Sequence, residues 1–195
     1  RYSMENPGVY TQSNLVGFAN VLEACRAQSI YHLLYASSSS VYGANTKVPF
    51  DERDPVEHPV SYYAATKRAN ELMADSYSHL YGFASTGLRF FTVYGPLGRP
   101  DMAYYRFLDL FASGEPIRIF NNDDPENDLW RDFTFVDDVV EAITRLMEVP
   151  DAGSTPHRVV NVGNSHPVSL SNFVSTLERC LSRALGREAV FDRIY

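Results

Sequence analysis

The chain has 195 residues, of which 45% are hydrophobic and 13% aromatic, enough to bury the core of one globular domain or one and a part. No apolar run is long enough to cross a membrane, and no regular spacing of metal ligands occurs. The formal net charge of -7, with acidic and basic residues interspersed, argues against a nucleic-acid partner. Cys25 and Cys180 lie in helical apolar patterns, so we expect buried thiols and, without a signal peptide, a cytoplasmic location.

Helices and strands are predicted to alternate along the chain, as they do in α/β proteins. In chain order, the predicted elements are a helix at 9–28, a strand at 30–36, a helix at 60–81, a strand at 84–91, a helix at 101–113, a strand at 117–120, a short strand followed by a helix at 136–148, a strand at 157–162 and a helix at 170–185.

Tyr63 and Lys67 form the most specific chemical pattern in the sequence. They stand at positions i and i+4 of the helix at 60–81, so the phenol and the ammonium lie one turn apart on one face. A tyrosine with its usual pKa of about 10 is a poor base at neutral pH, but an adjacent cation favours the phenolate and lowers that pKa. The pair can therefore act as a general base toward a substrate hydroxyl.

Polar side chains follow two of the predicted strands. The run Ser37 to Ser40 follows the first strand, and Thr92 follows the strand after the Tyr63 helix. Ligands of open α/β sheets bind at the carboxyl ends of the strands, so we expect these hydroxyl groups to reach a reacting oxygen. Arg99, in a loop bounded by Gly and Pro, can offer its planar guanidinium to a carboxylate or a phosphate.

The strand, the serine run, the sequence Val41-Tyr42-Gly43 and the Tyr63-x-x-x-Lys67 pattern occur here in a characteristic order. Together they resemble the extended short-chain dehydrogenase/reductases, a family that includes the sugar-nucleotide epimerases and dehydratases. The resemblance implies a catalytic triad of Ser or Thr, Tyr and Lys. Its members fall on Ser38, Tyr63 and Lys67.

The resemblance also implies bound NAD, contacted by Tyr63, Lys67, Asn14 of the first helix and Phe91. A dinucleotide site ordinarily begins with a Gly-x-Gly-x-x-Gly or Gly-x-x-Gly-x-x-Gly turn, and this sequence has none. We therefore expect a fragment whose glycine-rich half lies upstream. Residues 1–95 are expected to be the remaining part of the NAD-binding Rossmann domain.

The predicted fold class is α/β, comprising the C-terminal part of a Rossmann-like, doubly wound parallel sheet and a small mixed α/β substrate lobe. Residues 96–195 are expected to form mainly that lobe, with some segments returning to the Rossmann domain. In the family, the arginine of a motif like Arg131-Asp132-Phe133 binds the diphosphate of the sugar nucleotide, which implies this role for Arg131. A surface ion pair with Asp128 or Asp132 is the alternative, and an acidic polar loop is predicted at 121–128.

The resemblance leaves several reactions for a UDP-sugar oxidised at C4. Dehydratases and UDP-glucuronate decarboxylase typically carry Glu in a Ser/Thr-x-Glu-Val-Tyr-Gly motif, where this chain has Ser40. An epimerase needs no acid there. The hydroxyl groups of Ser39, Ser40 and Thr92, with the cation of Arg99, suit a carboxylate at C6 of the sugar. The implied activity is a 4-epimerase that interconverts UDP-glucuronate and UDP-galacturonate through a 4-keto intermediate.

Several alternatives remain open. UDP-glucose 4-epimerases usually have Asn at the position of Thr92, and UDP-glucuronate decarboxylase belongs to the same family. Because the glycine-rich half is missing, a non-catalytic sugar-nucleotide-binding module is a further possibility, as is a reductase that consumes NADH stoichiometrically. Family members commonly dimerise through a helix pair, here the helices at 9–28 and 60–81, so we expect a homodimer.

Overall fold

The computed structural model describes residues 2–119, 128–148 and 156–194. In chain order, its elements are α1 (Tyr2–Glu5), α2 (Pro7–Tyr10), a π-helical segment (Thr11–Val16), α3 (Gly17–Ala27), β1 (His32–Ser38), a 3₁₀ helix (Ser39–Tyr42), α4 (Tyr62–Tyr81), β2 (Ala84–Phe90), β3 (Thr92–Tyr94), α5 (Ala103–Ala112), β4 (Ile117–Arg118), β5 (Trp130–Phe135), α6 (Val136–Met147), β6 (His157–Val162), β7 (Pro167–Ser169), α7 (Leu170–Leu185) and β8 (Arg193–Ile194).

The chain divides into two compact units. The first unit comprises Arg1–Val93 and Asp137–Gly163, and the second comprises Tyr94–Val136 and Asn164–Tyr195. The assignment of the first to NAD and of the second to the sugar stays a prediction. Within the three described ranges, no helix is long and apolar enough to cross a membrane.

The sheet of the first unit has three parallel strands in the order β1–β2–β6. Successive strand residues point to opposite faces of a sheet, and helices cover both faces here. Tyr35 of β1 packs with Leu22 of α3 and Ala74 of α4. Leu88 of β2 packs with Val139 of α6 on the opposite face. A parallel sheet with helices on both faces confirms the predicted α/β fold class.

The second unit is a smaller mixed α/β structure. Strand β5 pairs antiparallel with β7, and the short strands β4 and β8 pair in parallel. Helices α5 and α7 pack on these short strands through a cluster of large apolar side chains: Phe107, Ile117, Ile119, Val174 and Phe191. Helix α7 begins where predicted, because the Ser169 hydroxyl accepts a hydrogen bond from the backbone N–H of Asn172.

The first strand differs from its predicted position at 30–36. It runs from His32 to Ser38, so Ser37 and Ser38 belong to the strand itself. Their backbones continue the parallel ladder with β2, whereas Ile30 and Tyr31, two exposed residues, precede the strand. The apolar run therefore predicted a strand correctly but placed it two residues too early.

The structure differs in part from two other predictions, and a third concerns residues that lie mostly outside the described ranges. The helix at 9–28 contains a π-helical segment, which apolar spacing at 3.6 residues per turn does not reveal. Cys25 is buried as expected, but Cys180 is exposed, so the expectation of two buried thiols is wrong for Cys180. The acidic loop predicted at 121–128 lies outside the described residues except for Asp128.

Candidate active site

Helix α4 presents Tyr63 and Lys67 in its first two turns. The Ser61 hydroxyl accepts a hydrogen bond of 3.1 Å from the backbone N–H of Ala64, which caps the helix. Gly82 ends the helix in the left-handed conformation, with a φ of 75°. These local signals confirm the predicted helix, and Tyr63 and Lys67 both lie half-buried on it, one turn apart.

Lys67 lies beside the Tyr63 ring and is also hydrogen-bonded to the backbone of β1. Its Nζ lies 5.9 Å from the centroid of the Tyr63 ring and donates a hydrogen bond of 3.0 Å to the carbonyl oxygen of Ala36. Ala36 precedes Ser38 by two residues in β1. Burial lowers the pKa of Lys67 from its usual value. The hydrogen bond to Ala36 thus keeps the ammonium beside the Tyr63 ring, while the predicted support of a phenolate by Lys67 stays a prediction.

The serine run passes from the strand into the 3₁₀ helix. Ser38 is nearly buried, Ser39 is half-buried and Ser40 is exposed. The Ser38 hydroxyl caps the 3₁₀ helix by accepting a hydrogen bond of 3.2 Å from Ser40 N, and it donates one of 3.1 Å to Ser40 Oγ. The predicted catalytic hydroxyl is therefore held at the carboxyl end of β1.

Asn14 lies in the π-helical segment and contacts α4 through both its side chain and its backbone. Its Nδ2 donates to Thr66 Oγ1 at 3.0 Å, and its carbonyl oxygen accepts a hydrogen bond of 2.7 Å from Asn70 Nδ2. Thr66 precedes Lys67, so Asn14 is brought next to the predicted catalytic helix face. Segments of π-helix often occur at functional sites, because they release backbone groups from the regular helical hydrogen-bond pattern.

Phe91 and Thr92 follow β2 at the same end of the sheet. Phe91 packs against a cluster that includes Val41 and Tyr42, and its ring stacks on Phe50 with the centroids 6.3 Å apart. Thr92 begins β3 and is half-buried. The structure places both residues in the first unit with Ser38, Tyr63 and Lys67, while their roles toward cofactor and substrate stay predictions.

Arg99 and Arg131 both belong to the second unit. Arg99 forms an exposed ion pair of 3.1 Å with Asp101. Arg131 is exposed and donates to the carbonyl oxygen of Trp130 at 2.8 Å. Asp132 accepts hydrogen bonds from the backbone N–H groups of two turn residues, and Asp128 accepts hydrogen bonds from Ser171. These two carboxylates thus have partners other than Arg131.

A buried ion pair between Glu71 of α4 and Arg89 of β2 was not predicted from the sequence. The two side chains are 1% and 2% exposed, and Arg89 Nε lies 2.8 Å from Glu71 Oε1. A signal was present in the sequence, because a buried arginine within a strand of otherwise uncharged residues needs an anion as its partner. Nothing in the sequence pattern identified Glu71 as that anion.

The first unit thus places a serine hydroxyl, a phenol and a half-buried ammonium near the carboxyl end of β1, where open α/β sheets bind their ligands. An ammonium group has three N–H donors, and Lys67 uses one of them for the carbonyl oxygen of Ala36. Its other two N–H donors are available for the ribose hydroxyl groups of NAD, so the residues present fit this cofactor. Among the described residues, no group of three His, Cys, Asp or Glu side chains could hold a metal ion.

Comparison with known proteins connects this geometry with a family. A sequence model of the NAD dependent epimerase/dehydratase family matches residues 1–163. The chain is 46% identical over 209 residues to a probable UDP-glucuronate 4-epimerase of Rhizobium meliloti (strain 1021), an alignment that covers 100% of this chain and 59% of that protein.

Two solved structures are similar to this chain over 95% or more of its length. UDP-glucuronic acid 4-epimerase from Bacillus cereus, in complex with UDP-glucuronic acid and NAD, has a TM-score of 0.78 at 28% identity, covering 95% of this chain and 55% of that one. MoeE5, in complex with UDP-glucose and NAD, has a TM-score of 0.83 at 32% identity, covering 100% of this chain and 61% of that one. The chain therefore spans less than two thirds of each of these proteins, and it belongs to the NAD-dependent epimerase/dehydratase family.

Proposed function

We propose that the complete protein containing this chain is an NAD-dependent 4-epimerase that interconverts UDP-glucuronate and UDP-galacturonate. The observation that carries the proposal is the arrangement of Lys67, which faces the Tyr63 phenol and is hydrogen-bonded to Ala36 in the strand that ends at Ser38. The similarity to proteins named UDP-glucuronate 4-epimerase extends over nearly the whole chain and supports this choice of substrate.

Each residue of the predicted triad has a separate role in the proposed reaction. Tyr63 removes the proton from the C4 hydroxyl of the sugar, and Lys67 stabilises the resulting phenolate. The Ser38 hydroxyl donates a hydrogen bond to the C4 oxygen. NAD, when bound, supplies the oxidation at C4 and its reversal, so there is no net redox change. Tyr63 then returns its proton to the C4 oxygen after the keto-sugar has turned over.

The residue before Val41 favours epimerisation over elimination or decarboxylation. Ser40 occupies the position where the related dehydratases carry an acid, and its Oγ accepts a hydrogen bond from Ser38. A serine hydroxyl cannot act as a carboxylic acid or a carboxylate base at neutral pH. The 4-keto sugar therefore takes hydride back instead of losing water.

The proposed ligands of the sugar carboxylate are Ser39, Ser40, Thr92 and Arg99, and Arg131 is the proposed ligand of the diphosphate. Arg99 is available for this role despite its pairing with Asp101. Their side chains are 74% and 70% exposed, and ion pairs of this kind contribute about 0 to 1 kcal/mol. A substrate carboxylate can therefore replace Asp101, because both anions offer a planar fork of two oxygens to the guanidinium.

The test uses the complete protein, incubated with UDP-glucuronate and a catalytic amount of NAD, followed by chromatographic separation of the products. We expect UDP-galacturonate to approach equilibrium with no net NADH. UDP-xylose as the product identifies a decarboxylase, and turnover of UDP-glucose alone identifies a UDP-glucose 4-epimerase. Stoichiometric consumption of NADH identifies a reductase, and NAD binding without any turnover identifies a binding module.

A matched pair of variants tests the role of the phenol. Tyr63→Phe removes the base and should abolish turnover while the protein still folds, as judged by circular dichroism. Tyr81→Phe, at the exposed end of the same helix, should retain the activity of the parent protein. Activity of Tyr63→Phe equal to that of the Tyr81→Phe control would contradict the assignment of the base.

The proposal includes a cytoplasmic location and a homodimer formed through the helical residues 9–28, which span α2 to α3, and through α4. Large apolar side chains are exposed on the helical segments concerned, and they are 41% to 64% exposed: Val9, Val16, Val21, Leu72 and Leu80. Burial of such side chains against a second copy of the chain would remove apolar surface from water.

A further inference from the structure

We propose that Glu71 and Arg89 are positioning residues for the predicted triad, because their buried ion pair fixes the carboxyl end of β1 against α4, the helix that presents Tyr63 and Lys67. This inference rests on the proposed function for its kinetic consequence. Its geometric part concerns the first unit alone and does not depend on the identity of the sugar.

The ion pair is bidentate and almost fully hydrogen-bonded. Arg89 Nε and Nη2 donate to the two oxygens of Glu71 at 2.8 and 3.0 Å. Glu71 also accepts hydrogen bonds from Ser37 Oγ at 2.6 Å and from Arg68 Nη1 at 3.0 Å. Although burial alone would raise it, the pKa of Glu71 is lowered by the hydrogen bonds from Arg89 and Ser37.

The remaining nitrogen of Arg89 extends the network to the Val41-Tyr42-Gly43 turn. Arg89 Nη1 donates to the Tyr42 hydroxyl at 3.1 Å and to the backbone oxygen of Glu52 at 3.2 Å. The Tyr42 hydroxyl in turn donates to Asn161 Oδ1 at 2.6 Å. The guanidinium therefore joins the turn after β1 to the third strand of the sheet.

The network occupies one row across the sheet. Ser37 of β1 is in register with Arg89 of β2, and Arg89 is in register with Asn161 of β6. Residues in register on parallel strands share a face, so these three side chains lie on the face covered by α4. Ser38, which carries the predicted catalytic hydroxyl, is the residue of β1 that follows Ser37. The row formed by Ser37, Arg89 and Asn161 therefore lies one residue before it along the strands.

Glu71 is one helical turn after Lys67, which itself is one turn after Tyr63. The contact from Glu71 to Ser37 and the contact from Lys67 to Ala36 therefore attach two successive turns of α4 to two successive residues of β1. A shift of the helix along the strand would break both. Displacements of about 1 Å in a reacting group can lower a rate by about 100-fold, so this attachment has a kinetic consequence.

Stability alone is a weak explanation for the pair. The desolvation of two charges offsets much of their attraction, and well-packed apolar residues of similar volume are often as stabilising or more so. Removal of only one partner leaves an unpaired buried charge and destabilises any protein. A double replacement by apolar residues separates the two explanations, because it removes the directional hydrogen bonds while the volume is kept.

The decisive variant is therefore Glu71→Met with Arg89→Met in the complete protein. We expect a folded enzyme whose KM for UDP-glucuronate stays within about twofold and whose kcat falls by about 10- to 100-fold. The matched control is Glu141→Gln with Arg145→Gln, an exposed ion pair on α6 of the same unit, which should leave kcat and KM unchanged. A folded double methionine variant with the kcat of the parent would overturn the inference.

Two further measurements decide the inference when the kinetic one is not informative. A crystal structure of the double methionine variant should show that the hydrogen bond between Lys67 Nζ and Ala36 O is lost, whereas an unchanged distance of about 3.0 Å overturns the inference whatever the substrate is. If the proposed function itself is wrong, the parent protein shows no turnover, and this result is distinct from both structural outcomes.

If the double variant does not fold, Ser37→Ala provides a second test. It removes the hydrogen bond from Ser37 to Glu71 and should lower kcat several-fold at unchanged KM. A parental kcat for Ser37→Ala would then overturn the inference.

Discussion

The Lys67 ammonium donates its hydrogen bond to the carbonyl oxygen of Ala36, so the proposed support of the catalytic phenol is attached to the strand that carries Ser38. The Lys67 side chain therefore has two roles. Its Nζ lies 5.9 Å from the centroid of the Tyr63 ring, and its hydrogen bond to Ala36 connects α4 with β1. The electrostatic role and the positioning role of Lys67 are therefore expected to fail together.

Lys67→Met should lower kcat of the complete enzyme by at least about 100-fold, because the phenolate loses its adjacent cation. The free energy of unfolding should not decrease. Burial lowers the pKa of Lys67 because the ammonium loses hydration in the folded protein, and methionine has no charge to desolvate. Steady-state kinetics and urea unfolding measure both effects. The control is Lys47→Met, which alters an exposed lysine paired with Asp54 and should retain the kcat of the parent protein. A similar kcat in the two variants would refute the role of Lys67.

Tyr10 should orient the Tyr63 phenol, the proposed base, through an edge-to-face contact. The rings of Tyr10 and Tyr63 are 6.0 Å apart, with an interplanar angle of 82°. Such pairs contribute about 0.5 to 1.5 kcal/mol, which corresponds to a change of about 2- to 10-fold in rate if the contact aligns the reacting group. Tyr10→Leu should therefore lower kcat by that factor. Tyr10→Phe keeps the aromatic ring that contacts Tyr63 and should retain the kcat of the parent protein. Equal values of kcat for the two variants would show that the ring contact has no role in catalysis.

Local signals in the sequence located the elements that carry the site. Ser61 and Gly82 mark the ends of α4 because a cap hydroxyl and a left-handed glycine act within one or two turns of their own position. Given the helix, the spacing of Tyr63 and Lys67 places them on one face. This part of the site follows from local chemistry and needs no knowledge of the tertiary structure.

Contacts between distant parts of the chain could not be predicted in the same way. Glu71 and Arg89 each looked like an ordinary residue of its own element, and only the packing of α4 on the sheet brings them together. In the π-helical segment, the carbonyl oxygen of Asn14 accepts a hydrogen bond from Asn70, a residue of another helix. Tertiary hydrogen bonds of this kind select a conformation that local propensity does not specify.

Gly43 of the Val41-Tyr42-Gly43 turn should tolerate no side chain. Its φ is +58°, and a Cβ there would lie 2.1 Å from the carbonyl oxygen of His58. Gly82 also has a positive φ, of +75°, but a Cβ there meets nothing within 4 Å. Gly82→Ala should therefore cost about 1 kcal/mol of unfolding free energy, and Gly43→Ala clearly more, about 2 kcal/mol or above. Urea unfolding of both variants checks this, and equal losses would contradict the steric argument.

The apolar residues exposed on α4 should be buried in the proposed dimer. Leu72 and Leu80 are 53% and 64% exposed on this helix. Leu72→Lys combined with Leu80→Lys should convert a dimer into a monomer, because two charges would then face a second copy across an apolar interface. Met147→Lys, an equally exposed apolar position on α6, is the control and should stay dimeric. Light scattering coupled to size-exclusion chromatography measures the mass, and a monomeric parent protein would refute the dimer.

His157 should make the folded state less stable in mildly acidic solution. Burial lowers its pKa below the usual value of about 6.5, and this effect exceeds the opposing effects of the nearby carboxylates of Asp75 and Glu71. The imidazole Nδ1 lies 2.9 Å from Ser85 Oγ in the interior of the first unit. The unfolded chain therefore binds a proton at this residue at a higher pH than the folded chain does.

The sign of the pH dependence follows from that difference. Well above about pH 6.5 neither state is protonated at His157, so the free energy of unfolding does not change with the titration of this residue there. As the pH falls below 6.5, the unfolded state gains the proton first, and the free energy of unfolding decreases until the folded state is protonated too. His157→Gln should flatten this dependence between about pH 5 and 7, since glutamine can keep a hydrogen bond to Ser85 without titrating. Urea unfolding at several pH values gives both slopes, and parallel curves for the parent and the variant would assign the pH dependence to other groups, including His32, whose pKa burial also lowers.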